Sequence, residues 1–271
     1  MALNANNAPV YLRALTVSNV LQVPGLWVAV LYVMACTVAP RLLRKKKKNK
    51  KQKSKTTHNG ENEKAVSESE GDTQRILMAI FNGSLSFASV LNLYYFLQSA
   101  WMSGPESIFF HSAGLHQQVV ARAFWLYRVL KYVELIDTAL IILRGKWRQL
   151  SFLHVYHHAS ILVLAEIGYH FSPWMSVVPF VAMNSFVHVL MYGYWAFRSY
   201  LGSDSMPIVV KKVITIVQIV QFALALIHGA IGYVHYQFCP YAGLYSAFFV
   251  FLFSRFYARA YYGKIDGKKL H

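Results

Sequence analysis

Charged residues and cysteines are both scarce in this sequence. Only 14% of the 271 residues are charged and 56% are hydrophobic, which leaves too little polar sequence for a large soluble domain. The two cysteines, Cys36 and Cys239, are too few and too widely separated to form a disulfide framework. Neither has a basic neighbour in the sequence that would indicate a cysteine nucleophile. What remains is a chain of apolar runs, which is typical of a polytopic membrane protein.

Seven apolar segments have the length that a helix needs to cross a bilayer, about 20 residues. They are 20–40, 76–102, 122–143, 152–171, 174–197, 212–235 and 242–262. A backbone in lipid must satisfy its own hydrogen bonds, and helices do this within one segment. We therefore predict an all-α fold in which residues 1–271 form a single domain of seven transmembrane helices.

Lysine and arginine are absent from every second connection between these segments. The connections without them are 103–121, 172–173 and 236–241, and the basic ones are 41–75, 144–151 and 198–211. Because basic connections stay in the cytosol, we predict a lumenal amino terminus and a cytosolic tail at 264–271. The tail ends in "KKLH", which resembles a dilysine retrieval signal. We therefore expect a multi-pass protein of the endoplasmic reticulum membrane.

Much of the formal net charge of +16 lies in one segment, "RLLRKKKKNKKQKSK", at the start of the connection 41–75, which continues with polar and acidic residues. Such a run is typical of a solvated, disordered segment, and its lysines favour the cytosolic side. Attraction to anionic lipid headgroups is a secondary role that we expect for it. A nucleic-acid partner is not predicted, because the rest of the chain is buried in the membrane.

Polar side chains occur at similar depth in four consecutive predicted spans. With a rise of about 1.5 Å per residue, all of them fall in the predicted cytosolic half. They are Lys131, Glu134 and Asp137, then His154, His157 and His158, then Asn184 and His188, then Thr215, Gln218 and Gln221. Within each span they are three or four residues apart and share one helix face. Since ionisable groups in a membrane are costly, this convergence predicts a functional site open to the cytosol.

Interhelical hydrogen bonding is the alternative explanation for part of this set. This structural explanation remains an alternative for Lys131 with Glu134 or Asp137. It also remains one for the polar residues of the sixth span, which are Thr215, Gln218 and Gln221. Three histidines on one face exceed what a single interhelical contact requires. We expect only structural roles for the remaining polar residues inside or near spans: Arg122, Arg128, Glu166, His111, His116, His170, His228 and His235.

The histidine box "HVYHH" is compatible with three classes of function. A metal centre, as in di-iron membrane desaturases and hydroxylases, needs histidines from several such boxes, and only one is present, so no metal is predicted. A seven-span receptor reads its ligand from outside, whereas this site faces the cytosol. The third class is an enzyme for a fatty acyl thioester, whose polar end arrives from the cytosol while its apolar end enters the outer half of the bundle. Imidazole is a competent nucleophile towards thioesters.

Four segments, in this order, resemble the signature motifs of the ELO family of very-long-chain fatty acid elongases: "KYVELIDT", "FLHVYHH", "NSFVHVLMYGYW" and "TIVQIVQ". The resemblance implies seven helices around an acyl tunnel and a 3-ketoacyl-CoA synthase. Such an enzyme condenses an acyl-CoA with malonyl-CoA and releases carbon dioxide and CoA. No cofactor is expected, since both CoA esters are substrates.

The resemblance also implies roles for individual residues. His157 would form an acyl-imidazole, His188 would orient or protonate, and Asn184 would donate to the oxyanion. His154 and His158 would assist beside the nucleophile or contact the malonyl group. The residues expected to bind substrate are Lys131, Glu134, Asp137, Gln149, Tyr192, Gln218 and Gln221, and Lys131, Arg144 or Lys211 would meet the CoA phosphates.

Substrate choice is indicated by "QLSFLHVYHHAS", which is similar to the subgroup that elongates polyunsaturated chains. Chain length would be limited at the outer ends of the spans, by side chains such as Tyr169, Trp174 and Phe180. Membrane lipid surrounds the protein. The sequence does not decide whether the protein forms a homo-oligomer. It also does not decide whether the protein contacts the ketoacyl reductase, dehydratase and enoyl reductase of the elongation cycle.

Overall fold

The computed structural model describes residues 20–54, 61–111, 117–202 and 206–262. Its α-helices are α1 (Pro24–Ser54), α2 (Glu61–Ser103), α3 (Gln117–Leu143), α4 (Phe152–His170), α5 (Val178–Leu201), α6 (Ile208–Tyr236) and α7 (Pro240–Tyr261). Short 3-10 helices, Pro105–Phe109, Trp147–Gln149 and Met175–Val177, lie in the connections. The described residues contain no β-strand, so the all-α prediction is confirmed.

Each predicted span overlaps one of these helices, although the helix bounds differ, most of all for α1 and α2. Within the described ranges, four stretches are long and apolar enough to cross a membrane, as expected for a multi-pass membrane protein: Pro24–Leu43, Asp72–Ser103, Met175–Leu201 and Ile208–Tyr236. In α3, charged side chains from Arg122 to Asp137 interrupt the apolar sequence. That α3, α4 and α7 also span the membrane, and the orientation of the chain, stay predictions.

The lysine-rich segment differs from its prediction. Backbone that was expected to be disordered over 41–75 is helical up to Ser54 and again from Glu61. Lysine, glutamine and glutamate have good helix propensity, and extending an existing helix avoids the cost of nucleation. Residues 55–60, the tail 264–271 and His116 lie outside the described residues, together with the predictions made for them.

Six of the helices close into a ring. Helix α2 packs on α3 and α5, α3 packs on α4, and α6 packs on both α5 and α7. Tyr156 and His157 of α4 complete the ring against Phe249 of α7, with ring centroids 5.7 and 5.3 Å apart. Helix α1 lies outside the ring, against α4 and α3. The short connections between α3 and α4 and between α6 and α7 make those neighbours antiparallel.

Aromatic side chains fill the end of the ring that was predicted to be lumenal. Phe109, from the 3-10 helix after α2, stacks on His228 of α6 with centroids 5.1 Å apart. Phe180 of α5 meets the same imidazole edge-on at 5.1 Å. Trp174 contacts His111 at 5.2 Å. These two histidines therefore have packing partners, as a structural role requires, and the apolar interior ends at a layer of rings.

A second polar cluster joins α3 to α4 on the side that α1 covers. The Glu166 carboxylate is fully buried and lies 2.8 Å from Arg128 Nε and 3.1 Å from His170 Nε2. It also accepts a hydrogen bond of 2.6 Å from the Tyr132 hydroxyl. Gly25 of α1 packs directly on the aliphatic part of the Glu166 side chain, because a Cβ at Gly25 would overlap Glu166 Cγ. Glycine lets α1 approach a charged side chain that its own partners hold in place.

We expect Gly25→Ala to destabilise the protein by about 1–3 kcal/mol, as overpacking at a buried contact does. The added methyl group would displace Glu166 from Arg128 and Tyr132. Thermal unfolding of the purified protein in detergent measures the effect. The matched control is Gly83→Ala, because a Cβ there meets only Ala196, at the ordinary distance of 4.0 Å. Equal behaviour of the two variants would contradict the tight contact.

Candidate active site

The histidine box starts directly after a helix cap. Ser151 precedes α4, and its hydroxyl accepts a hydrogen bond of 3.3 Å from the His154 backbone N–H. Such a cap fixes where the helix begins and therefore the direction of its first side chains. The rings of His154 and His158, one turn apart, are 4.5 Å from each other. The His157 ring instead contacts α6 and α7, so the prediction of one shared face holds for His154 and His158 but not for His157.

Lys131 is the centre of a buried polar cluster that joins α3 to α5. Its ammonium donates to Glu134 Oε1 at 2.7 Å and to Asn184 Oδ1 at 2.9 Å. His188 Nδ1 lies 3.4 Å from the same ammonium and 2.9 Å from Glu134 Oε1. The Tyr127 hydroxyl donates to Asn184 Oδ1 at 3.0 Å, and its ring lies under the ammonium at 4.6 Å. Every one of these side chains is buried.

The box approaches this cluster through His158. Its Nδ1 is 3.9 Å from Glu134 Oε2, close enough for electrostatic attraction but too far for a hydrogen bond. His154 is held separately, since its Nε2 is 2.8 Å from Thr138 Oγ1. Helices α3, α4 and α5 thus bring their motif residues together. Residues that were predicted to lie at similar depth in these three helices are in contact with one another.

His157 occupies the boundary between polar and aromatic surroundings. Its ring meets Phe249 at 5.3 Å, Phe222 at 6.5 Å and His158 at 5.6 Å, each edge to face. The Ser160 hydroxyl donates to the His157 backbone carbonyl at 3.2 Å and contacts Tyr245 OH at 3.0 Å, which ties this turn of α4 to α7. The ring of His157 is therefore held mainly by apolar contacts.

Buried polar atoms without hydrogen-bond partners concentrate at this site. Among the described residues they are Glu134 Oε2, His157 Nδ1, His158 Nδ1, Tyr192 OH, Tyr194 OH, Arg128 Nε and Glu166 Oε2. The last two belong to the second cluster, where they lie within ion-pair distance of charged partners. The others all come from motif residues. An unsatisfied buried polar atom costs about 1–3 kcal/mol, so such a concentration indicates a place where a polar partner binds.

The remaining predicted site residues are less tightly grouped. Tyr192 is buried with its ring 5.4 Å from His188. Gln221 is buried, whereas Gln218 is partly buried and its amide donates to Met191 Sδ at 3.8 Å. Asp137 is partly exposed. Gln149 is exposed in the 3-10 helix ahead of α4, so its role in binding substrate stays a prediction.

Three residues with contacts in the site were not assigned from the sequence: Tyr127, Thr138 and Tyr32. Tyr127 lies one turn before Lys131, and this spacing was a signal that could have identified it. Thr138 is the last residue of the motif "KYVELIDT". Tyr32 is on α1, far from every motif, and its hydroxyl is 3.1 Å from Thr138 Oγ1. Nothing in its sequence context indicates this contact.

Basic side chains lie where α3 and α5 end and α4 begins. Partial desolvation and then the positive charges of Arg144 and Arg198 lower the pKa of Lys146. The second of these causes indicates that Arg144, in the same connection, and Arg198, in the last turn of α5, lie near Lys146. Such a group favours an anionic partner.

In the described ranges, no group of three or more His, Cys, Asp or Glu side chains is arranged to hold a metal ion.

Comparison with known proteins extends these observations over most of the chain. The model of the family described as ELO: GNS1/SUR4 matches residues 18–269. Human "very long chain fatty acid elongase 4" is 31% identical over 211 residues, which is 73% of this chain and 66% of that protein, just under two thirds. Mouse "very long chain fatty acid elongase 1" is 33% identical over 212 residues, 72% of this chain and 73% of its own length. Drosophila "very long chain fatty acid elongase F" is 38% identical over 143 residues, 50% and 56% of the two chains.

We expect Glu134→Gln to destabilise the protein by about 3–5 kcal/mol, because it leaves the buried Lys131 charge without a counter-ion. Combining it with Lys131→Met should recover much of this loss, since both charges are then removed. Denaturant unfolding in mixed micelles compares the variants. Asp72→Asn, which breaks the exposed pair with Arg75, is the control and should cost less than about 1 kcal/mol. Additive costs of the two buried substitutions would contradict the ion pair.

Proposed function

Because the chain belongs to the GNS1/SUR4 (ELO) family, we propose that it is the condensing enzyme of fatty acid elongation, a 3-ketoacyl-CoA synthase. It joins an acyl-CoA to malonyl-CoA and releases carbon dioxide and free CoA, so that the acyl chain grows by two carbons. The names of its relatives support elongation of very long fatty acids. The site supports acyl transfer at the histidine box.

The observation that carries this proposal is the set of unpaired polar atoms around His157. His158 Nδ1, Glu134 Oε2 and Tyr192 OH come from three different helices, and all are buried. Beside them, His157 rests against apolar rings of α6 and α7. One wall of the site is thus polar and the other apolar. A fatty acyl thioester has the same division, with a polar carbonyl and CoA at one end and a hydrocarbon chain at the other.

In the first half-reaction His157 is the nucleophile. A ring nitrogen attacks the thioester carbonyl, the carbon–nitrogen bond forms, and the carbon–sulfur bond breaks. The imidazole proton leaves with the CoA thiolate, which yields free CoA and an acyl-imidazole. The Asn184 amide oxygen already accepts from Tyr127 and Lys131. This network leaves the amide nitrogen to donate to the developing oxyanion.

In the second half-reaction malonyl-CoA loses carbon dioxide, and the resulting enolate attacks the acyl carbon. The carbon–nitrogen bond to His157 then breaks, and the departing imidazolate takes up one proton from solvent, which regenerates the neutral histidine. His188, oriented by Glu134 at 2.9 Å, steadies the enolate oxygen or supplies a proton. His154 and His158 contact the malonyl end. Two sequential half-reactions at one histidine make the kinetics ping-pong.

The surroundings of the site suit the two ends of the substrate. The basic side chains of Arg144, Lys146 and Arg198 suit the phosphates of CoA. For the other end of the substrate, we propose that the acyl chain extends from His157 towards the aromatic layer, where Trp174 and Phe180 pack and would limit chain length. We further propose an endoplasmic reticulum location, with the site open to the cytosol, and a preference for polyunsaturated chains, which rests on the sequence around Gln149.

We expect His157→Ala to lower the condensation rate by at least about a thousandfold, as loss of a nucleophile does. Membranes containing the protein receive labelled malonyl-CoA and saturated or polyunsaturated acyl-CoAs. Pyridine nucleotides are withheld so that the 3-ketoacyl product accumulates. His235→Ala, at the exposed end of α6, is the matched control and should retain activity.

Full activity of His157→Ala would remove this residue as the nucleophile. Absence of product from every acyl-CoA, in membranes that contain wild-type protein, would contradict the synthase assignment. It would make an iron determination the next step for the histidine box. Ranking the acyl-CoAs by rate tests the polyunsaturated preference in the same assay.

We expect Lys146→Glu to raise the KM for both CoA esters about tenfold or more with little change in kcat, because it repels phosphate without touching the reacting atoms. The rate of the variant should also depend less on salt. Lys146→Arg keeps the charge and is the matched control. A fall in kcat at unchanged KM would place Lys146 outside the CoA path.

A further inference from the structure

Helix α1 lies outside the ring and carries none of the motif residues, yet it makes one buried polar contact with α3. The Tyr32 hydroxyl is 3.1 Å from Thr138 Oγ1. Tyr32 is 8% exposed and Thr138 is 1% exposed, so water does not compete freely for this hydrogen bond. A tyrosine that only filled space against α3 would not need its hydroxyl here.

The contact continues into the histidine box. Thr138 Oγ1 is 2.8 Å from His154 Nε2, the shorter of the two links. The His154 ring lies 4.5 Å from the ring of His158, and His158 Nδ1 faces Glu134 Oε2 at 3.9 Å. An uninterrupted series of polar side chains therefore runs from α1 to the buried carboxylate of the site.

The direction of these hydrogen bonds decides which ring nitrogen of His154 carries the proton. A threonine hydroxyl has a single hydrogen to donate but can accept more than one hydrogen bond. If Tyr32 donates to Thr138, the Thr138 hydrogen is free to point at His154 Nε2. A neutral imidazole that accepts at Nε2 carries its proton on Nδ1. Without Tyr32, the Thr138 hydroxyl loses the donor that favours this arrangement.

We propose that Tyr32 is a positioning residue for the histidine box: through Thr138 it holds the His154 ring in place with Nε2 as an acceptor. This deepens the proposed function and rests on it for the role of His154 in condensation. Helix α1 then takes part in catalysis indirectly, although it contributes no group that touches substrate.

The packing of α1 becomes incomplete just beyond Tyr32. A cleft of about 270 Å³ lies between the next turns of α1 and the connection between α3 and α4. It is lined by Cys36, Thr37, Pro40, Arg41, Trp147 and Leu150. The hydrogen bonds of Tyr32 and Thr138 therefore lie near the edge of the packed contact between α1 and the ring, where they add to the packing of the buried Tyr32 ring.

Kinetics provide the first test. We expect Tyr32→Phe to lower kcat for condensation about three- to tenfold, the effect of one neutral hydrogen bond, with both KM values unchanged. Thr138→Val should do the same, and Thr138→Ser, which keeps the hydroxyl, should restore the rate. In the Thr138→Val background, Tyr32→Phe should have no further effect. Tyr132→Phe, which loses a buried interhelical hydrogen bond in the second cluster, is the matched control and should keep its kcat.

A second measurement needs no activity. Diethyl pyrocarbonate acylates unprotonated ring nitrogens, and peptide mass spectrometry gives its rate at His154 alone. Loosening the hydrogen bond at Nε2 should raise this rate about two- to tenfold in Tyr32→Phe, and leave it unchanged in Tyr132→Phe. Unchanged labelling of His154, or multiplicative losses of kcat in the double variant, would overturn the proposal. If wild-type protein makes no product, the synthase assignment fails and the labelling alone decides the role of Tyr32.

Discussion

The arrangement of the site depends on a single buried carboxylate, Glu134. Its Oε1 accepts from Lys131 and lies against His188, while its Oε2 faces His158. An ionised carboxylate in an apolar interior is costly unless opposite charges and hydrogen-bond donors surround it, and the penalty reaches several kcal/mol per ion. Those partners are on α3, α4 and α5. Rotating any of these helices about its axis would therefore expose one member of the set to an apolar neighbour.

The second cluster shows what purely structural pairing looks like in the same protein. Glu166 is equally buried, but it has an arginine, a tyrosine and a histidine within about hydrogen-bonding distance, at 2.8, 2.6 and 3.1 Å. Both carboxylates leave Oε2 without a hydrogen bond, but His170 Nε2 lies 3.1 Å from Glu166 Oε2, whereas His158 Nδ1 lies 3.9 Å from Glu134 Oε2. An incompletely satisfied buried network is costly, and a bound polar molecule is one way to complete it. The difference supports a functional role for the first cluster and a fastening role for the second.

Much of the site follows from helix geometry alone. Spacing of three or four residues and a fixed rise per residue place Lys131, Glu134, His158 and His188 on matching faces at matching depth, whatever the details of packing. The contacts of Tyr32 could not be predicted in this way, because they depend on where α1 docks against the ring, and docking of an apolar helix leaves no periodic signal. Gln149 illustrates the same limit in a connection, whose direction helix periodicity does not define. High charge indicates a disordered segment after residue 41, whereas the intrinsic helix propensity of lysine and glutamine allows α1 to continue to Ser54.

The position of His157 follows from two constraints, the contacts of the polar cluster and the spacing of the histidine box. The polar cluster fixes one face of α4 through His158 and His154, and the spacing of the box then turns His157 towards the aromatic rings of α6 and α7. An acyl carbon bound to His157 would stand where the polar wall ends and the apolar interior begins. The carbonyl oxygen would then face donors on α5, while the hydrocarbon chain followed the rings away from water. His157 and His158 are adjacent in the sequence, yet they differ in surroundings. His158, with His154, belongs to the polar cluster, whereas His157 would carry the acyl chain.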